Sequence, residues 1–218
     1  VPAFAIKNPT VVGKLRPRRP LVLDDYRFLR EHTRKPVKVT LPGPYLLSRS
    51  TWVKGLSESA YPTREALADD IVGILRGELQ ALAAAGADIV QLDEPVLTEL
   101  VFAGKSATRT FMCAALAASA SPEGELDFAV ELVNRVVAGI SGPTLAVHVC
   151  RGNWSQKEDI LLHGAYDPLI PYFRRMQVHQ LVLEYATERA GSPEPLRGLP
   201  PTVQIGLGAV NPRVPDVE

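Results

Sequence analysis

Cysteine is scarce in this chain: only Cys113 and Cys150 occur among 218 residues. Two cysteines do not make a disulfide scaffold, and their scarcity fits a reducing compartment, so the expected setting is cytoplasmic. Neither sign of charge dominates. Lys and Arg number 24 and Asp and Glu 24, with no long basic run to attract nucleic acid. No apolar stretch approaches the roughly 20 residues of a membrane span. No glycine-rich phosphate loop follows any strand-like run, which makes a dinucleotide-binding fold the weaker option. An initiator Met is missing before Val1, and no closing helix follows the last strand-like run. The chain therefore reads as a piece of a longer protein.

What is present is enough for one large domain with a sizeable core: 46% of residues are hydrophobic and 22% charged. Five short apolar runs rich in β-branched residues are predicted strands: Pro36–Leu41, Ala87–Leu92, Thr144–Cys150, Gln180–Tyr185 and Thr202–Gly206. Their near-continuous apolar character suits strands buried in a parallel sheet. Helical stretches lie between them. Thr63–Ala85 opens after Pro62, carries Leu67, Ile71, Ile74, Leu75, Leu79 and Leu82 at helical spacing, and stops at Gly86. Glu125–Ile140 repeats the pattern. Further helices are expected over Leu23–His32, Gln156–Leu162 and Leu169–Met176, and Val11-Val12-Gly13 reads as a further strand. The prolines between Gly191 and Pro201 mark a loop. Strand and helix alternating through short links predict an α/β fold. The expectation is a (β/α)8 TIM barrel over residues 1–218, a single domain that is incomplete, with outer strands missing at both ends.

Polar residues gather at the carboxyl end of every predicted strand, the end that carries the active site in a parallel barrel. Pro42-Gly43-Pro44 follows the first, Asp93-Glu94-Pro95 the second, His148-x-Cys150 closes the third, Glu184 the fourth, and Gly208–Asn211 follows the fifth. Residues two apart on a strand share a side, so His148 and Cys150 point one way. Imidazole, thiolate and carboxylate converging on one mouth make a zinc-type ligand set of His148, Cys150 and Glu184. A buried Glu184 needs a partner to stay charged, which supports a cation there. Asp93 and Glu94 are candidate substrate-binding carboxylates, the alternative being a helix cap or ion pair. Trp52 is either a packed rim residue or a stacking surface for a flat substrate. Arg151 is a candidate anchor for an anionic substrate, or a solvated loop charge. Cys113, His163 and His179 read as structural.

The combination of Lys35-Pro-Val-Lys-Val-Thr-Leu-Pro-Gly-Pro44, Gln91-Leu-Asp-Glu-Pro95, His148-Val-Cys150, Leu183-Glu-Tyr-Ala186 and Gly206-Leu-Gly208 resembles the catalytic domain of the cobalamin-independent methionine synthases, and its shorter single-barrel members above all. The likeness runs from about Val12 to Glu218. It implies a β/α barrel that moves a methyl group from a methyltetrahydrofolate to the thiol of homocysteine, using zinc. His148, Cys150 and Glu184 then resemble three of four zinc ligands, the fourth being a cysteine in a motif that this sequence does not reach. Asp93 matches the aspartate that holds the substrate's amino group. The segment Gly208-Ala-Val-Asn-Pro-Arg213 lacks the histidine that assists proton transfer in larger members, so the resemblance leaves the methyl donor unassigned.

Two other readings stand beside this one. One is a zinc enzyme that alkylates another thiol, such as an epoxide-opening coenzyme M transferase. Its sulfonate substrate would favour Arg49, Arg151 or Arg213 over Asp93. The other is a non-catalytic metal- or ligand-binding barrel. The expected partners are thus a small-molecule thiol and a folate-type methyl donor, with no nucleic acid and no membrane. A barrel that lacks strands leaves unpaired edges, which predicts poor solubility of the isolated piece.

Overall fold

Each apolar run pairs with the next one along the chain, giving a single sheet of five parallel strands in the order β1-β2-β3-β4-β5. The strands are β1 Lys38–Pro42, β2 Ile89–Asp93, β3 Thr144–Val149, β4 Gln180–Glu184 and β5 Gln204–Gly208. The computed structural model describes residues 9–102, 121–152 and 162–211. The helices are α1 Leu23–His32, α2 Pro44–Thr51, α3 Arg64–Ala84, α4 Val96–Phe102, α5 Pro122–Val137 and the single turn α6 Ile170–Phe173. Strand–helix–strand succession in one sheet is an α/β barrel carried part of the way round. Among the described residues, β1 and β5 each have one strand neighbour.

Local chemistry sets the long helices. Thr63 caps α3 by accepting from the Ala66 N–H, and Gly86 at φ +84° takes the left-handed turn that closes it. Ser121 caps α5 by accepting from the Gly124 N–H, with Pro122 in the first turn. Leu67, Ile71, Leu75, Leu79 and Leu82 of α3 and Leu126, Val130, Val133 and Val137 of α5 are buried in the core.

The sheet has two unlike faces. Val39, Leu41, Val90, Leu92, Leu145, Val147, Val149, Leu181 and Leu183 are buried and join the core with the helices. The alternate positions carry Lys38, Thr40, Gln91, Asp93, His148, Gln180 and Glu184, mostly exposed or half-buried. Period two thus sends the buried aliphatics to the helical layer and gathers the polar residues on the other face, with Ile89, Ala146 and Val182 among them.

Several expectations change. Val11–Gly13 forms no strand; the Val11 N–H donates to the Thr51 carbonyl at 2.9 Å and Val12 is 66% exposed, so this segment straps α2 instead. Pro44–Thr51 and Val96–Phe102 are two further helices, not among those expected from the sequence. The helix expected over Leu169–Met176 shrinks to α6 after a 3-10 turn at Asp167–Leu169. The proline-rich loop contains a 3-10 turn, Glu194–Gly198. The expected helix from Gln156 lies almost wholly outside the described residues, as do Cys113 and Arg213.

Candidate functional site

Register places the polar residues in rows across the open face of the sheet. Pro42 pairs with Asp93, Asp93 with His148, His148 with Val182, and Val182 with Gly206. One step further toward the carboxyl ends, Glu184 pairs with Gly208, and Cys150 follows β3 on the side of His148. His148, Cys150 and Glu184 line one cleft of about 210 Å³ together with Gly152, Arg189, Gly208 and Asn211. The three ligand candidates are therefore brought together, and Asp93 lies in the row of His148. Close approach shapes the far wall: a Cβ on Gly208 would sit 2.9 Å from the Leu183 carbonyl oxygen.

The His148 ring is oriented from behind. Its Nδ1 lies 3.0 Å from the Val182 carbonyl oxygen, which can only accept, so Nδ1 carries the proton and Nε2 keeps its lone pair. Burial pulls the His148 pKa down. The hydrogen bond and charge of Cys150, the Val182 carbonyl and the charge of Asp93 outweigh that, and the net shift is upward.

Glu184 sits between two arginines. Arg151 Nη1 is 3.5 Å from Oε2 and Arg189 Nη2 is 3.4 Å from Oε1. Oε2 is buried without a hydrogen-bond partner. Arg151 is fully buried: Nε donates to Gly164, Nη1 to the Glu184 carbonyl and Nη2 to Ala190, at 2.7, 3.1 and 3.2 Å, and its guanidinium stacks 3.8 Å over the Tyr166 ring. It is neither the substrate anchor nor the solvated charge expected from the sequence. Tyr166 bridges the two strand ends, its hydroxyl donating to the Val149 carbonyl at 2.7 Å and accepting from the Glu184 N–H at 3.1 Å. Arg189 and Tyr166 escaped sequence reading. Tyr166 immediately precedes the Asp167–Leu169 turn and Arg189 lies in a 3-10 turn, Glu188–Ala190, and neither has a spacing signal.

Glu94 follows the helix-cap alternative. Its side chain has no exposed surface, and its two oxygens accept from the Tyr45 and Leu46 N–H groups at 2.8 and 2.9 Å. It caps the first turn of α2 from the neighbouring strand end and presents no carboxylate to the cleft. Gly43 leaves room for it; a Cβ there would lie 2.2 Å from the Glu94 carboxyl. Burial pushes the Glu94 carboxyl up to about 8, the two N–H donors oppose that and the charge of Asp93 adds to it. The folded state then binds a proton more tightly than the unfolded chain. Its contribution to stability is full below the ordinary carboxylate range and is lost as pH rises toward 8. The stability difference between the native protein and Glu94→Gln should therefore change between pH 5 and pH 8.5, read by urea unfolding. A difference that does not vary with pH would remove this assignment.

Trp52 is packed rather than open. Its indole N–H donates to the Tyr61 carbonyl at 3.0 Å and its ring lies against the core, in line with the packed-rim alternative. Arg49 lies on α2, in the field of Tyr45 and Glu125, and is not among the cleft residues. His179 accepts the Leu145 N–H at 2.9 Å and serves the start of β3. Among the described residues no group of three His, Cys, Asp or Glu is closed around a metal position. The donor set nonetheless suits zinc: a cysteine sulfur and an imidazole with one carboxylate, His148 Nε2 turned away from the Val182 carbonyl that holds Nδ1, and a buried Oε2 on Glu184 without a hydrogen bond.

Comparison with known proteins follows the same lines. The family described as cobalamin-independent synthase, catalytic domain, matches residues 3–218. A methionine synthase from Pyrococcus furiosus is 31% identical over 95% of this chain and 50% of its own length. A 5-methyltetrahydropteroyltriglutamate–homocysteine methyltransferase from Salmonella arizonae is 35% identical over 43% of this chain and 12% of its own. Among solved structures, a B12-independent methionine synthase from Shewanella sp. W3-18-1, in complex with selenomethionine, superposes with TM-score 0.62 at 25% identity. That match covers 90% of this chain and 51% of the other. The chain spans about half the length of the curated methionine synthases it matches.

Proposed function

The chain belongs to the catalytic-domain family of the cobalamin-independent synthases, and from that premise we propose that it carries the metal and amino-acid half of a zinc-dependent homocysteine methyltransferase. The observation that carries this reading is the cleft in which His148, Cys150 and Glu184 meet above the row that holds Asp93. When bound there, zinc would lower the pKa of a substrate thiol from near 8.5 and make it a thiolate nucleophile at neutral pH. His148 Nε2, Cys150 Sγ and Glu184 would hold it. The Val182 carbonyl fixes the imidazole, and Tyr166 and Arg151 fix the strand end that bears Glu184. Asp93 offers a carboxylate for the ammonium group of the amino acid. The methyl donor is a folate in this reading, and the protein works in the cytoplasm, where thiols stay reduced.

Of the three arginines that the coenzyme M alternative would favour, Arg151 is engaged on three carbonyls and Glu184, which speaks against that reading. The test is a thiol competition on the native zinc-loaded protein, followed by zinc-edge spectroscopy. Homocysteine should add sulfur to the metal shell at lower concentration than coenzyme M. Asp93→Asn should raise the homocysteine concentration needed while leaving zinc content intact. The reverse order of the two thiols would move the assignment to the alternative; loss of zinc in Asp93→Asn would remove Asp93 from substrate binding.

A further inference from the structure

We propose that Gln91 and Lys38 position Asp93 for the ammonium group of the substrate, a specificity device that rests on the amino-acid-thiol reading above. Three side chains form a chain across the open face of the sheet. Lys38 Nζ lies 3.0 Å from Gln91 Oε1, and Gln91 Nε2 lies 2.7 Å from Asp93 Oδ1. Gln91 is 5% exposed, so its amide is enclosed while Lys38 below it is exposed.

The direction of this chain is dictated by chemistry. An ammonium group only donates, so the amide atom facing Lys38 must be the oxygen. The amide NH2 is thereby turned to Asp93, where it meets a carboxylate that only accepts. Without Lys38 the amide could turn over and set its oxygen against the carboxylate. With Lys38 in place, Asp93 Oδ1 is fixed, and Oδ2 has no hydrogen-bond or ion-pair partner among the described residues.

Interposing an amide also matters electrostatically. A lysine paired directly with Asp93 would compete with the substrate's ammonium for the same charge. Gln91 is a neutral donor, so it orients the carboxylate and leaves its negative charge available. Lys38 pairs in register with Ile89, two residues before Gln91, and so supports Asp93 from the layer beneath without touching it. A hydrophobic residue of the same size at position 91 would keep the packing and lose the orientation.

The experiment compares homocysteine with 4-mercaptobutanoate, which has the thiol and carboxylate but no amino group, as acceptors for the native protein and its variants. The quantity read is the ratio of kcat/KM for the two thiols. Gln91→Leu should lower that ratio about tenfold, the worth of one hydrogen bond to a charged group, chiefly through KM for homocysteine. Lys38→Met, at an exposed position, should lower it in the same sense by about threefold, and Lys38→Arg should restore it. Asp93→Ala is run beside them. If Asp93→Ala collapses the ratio while Gln91→Leu and Lys38→Met both leave it intact, the positioning role is overturned and the role of Asp93 stands. If Asp93→Ala leaves the ratio intact, both fall together. Should Gln91→Leu fail to fold, the Lys38 pair decides alone.

Discussion

Replacing Cys150 with Ser is expected to strip most of the zinc from the native protein, leaving less than about a tenth of one equivalent per chain. The thiolate is the softest donor in the cleft, and a serine hydroxyl at neutral pH neither ionises nor offers a polarisable lone pair. The effect should exceed that of Glu184→Gln, because Glu184 is already held by Arg151 and Arg189 and would exchange one set of positive partners for another. Metal analysis after dialysis reads this without reference to activity. Stoichiometric zinc retained in Cys150→Ser would sink the ligand assignment, wherever else the metal proved to sit.

The second large effect is structural. Arg151→Met should destabilise the fold by about 3–5 kcal/mol, the range for breaking a buried charge pair by removing one partner. Methionine fills much of the volume and continues the contact with Tyr166. It leaves the Gly164, Glu184 and Ala190 carbonyls without their donor and Glu184 without one of its two arginines. A solvated loop arginine, by contrast, would change stability by no more than about 0.5 kcal/mol. Urea unfolding separates the two. A change below about 1 kcal/mol would mean that the buried guanidinium network carries little of the local stability.

Much of this architecture is legible in the chain because it is written in local or periodic signals. The five strands announce themselves as short β-branched runs, and each is shifted by only a residue or two from its expected ends. α3 and α5 show a cap, a stripe and a stop. The meeting of His148, Cys150 and Glu184 in one cleft was legible too, since His148 and Cys150 obey strand period and Glu184 is an anomaly inside an apolar run. α2 was not. Its eight residues begin at a proline, and the carboxylate that caps it belongs to Glu94, nearly fifty residues later. No window of local sequence contains that interaction. α4 was missed for a related reason: it follows β2 at once, and its Val-Leu-Thr-Glu-Leu-Val-Phe run is buried on nearly every side, so no polar face betrays a helical period.

The sequence by itself determined the order of the elements, the side to which each strand sends its polar residues, and the residue types gathered at the strand ends. Side-chain period and strand length are properties of the chain, and they survive any packing. Only the tertiary structure decided which of those polar residues face the cleft. Asp93, His148, Cys150 and Glu184 do so or lie in its rows, whereas Glu94 and Arg151, equally promising as letters, turn inward to satisfy backbone groups that a helix start and two loops leave unpaired. The reason is that an unpaired buried N–H or carbonyl costs as much as a lost hydrogen bond. Which charged side chain meets that need is fixed by distances in space, and these depend on residues far apart in the chain.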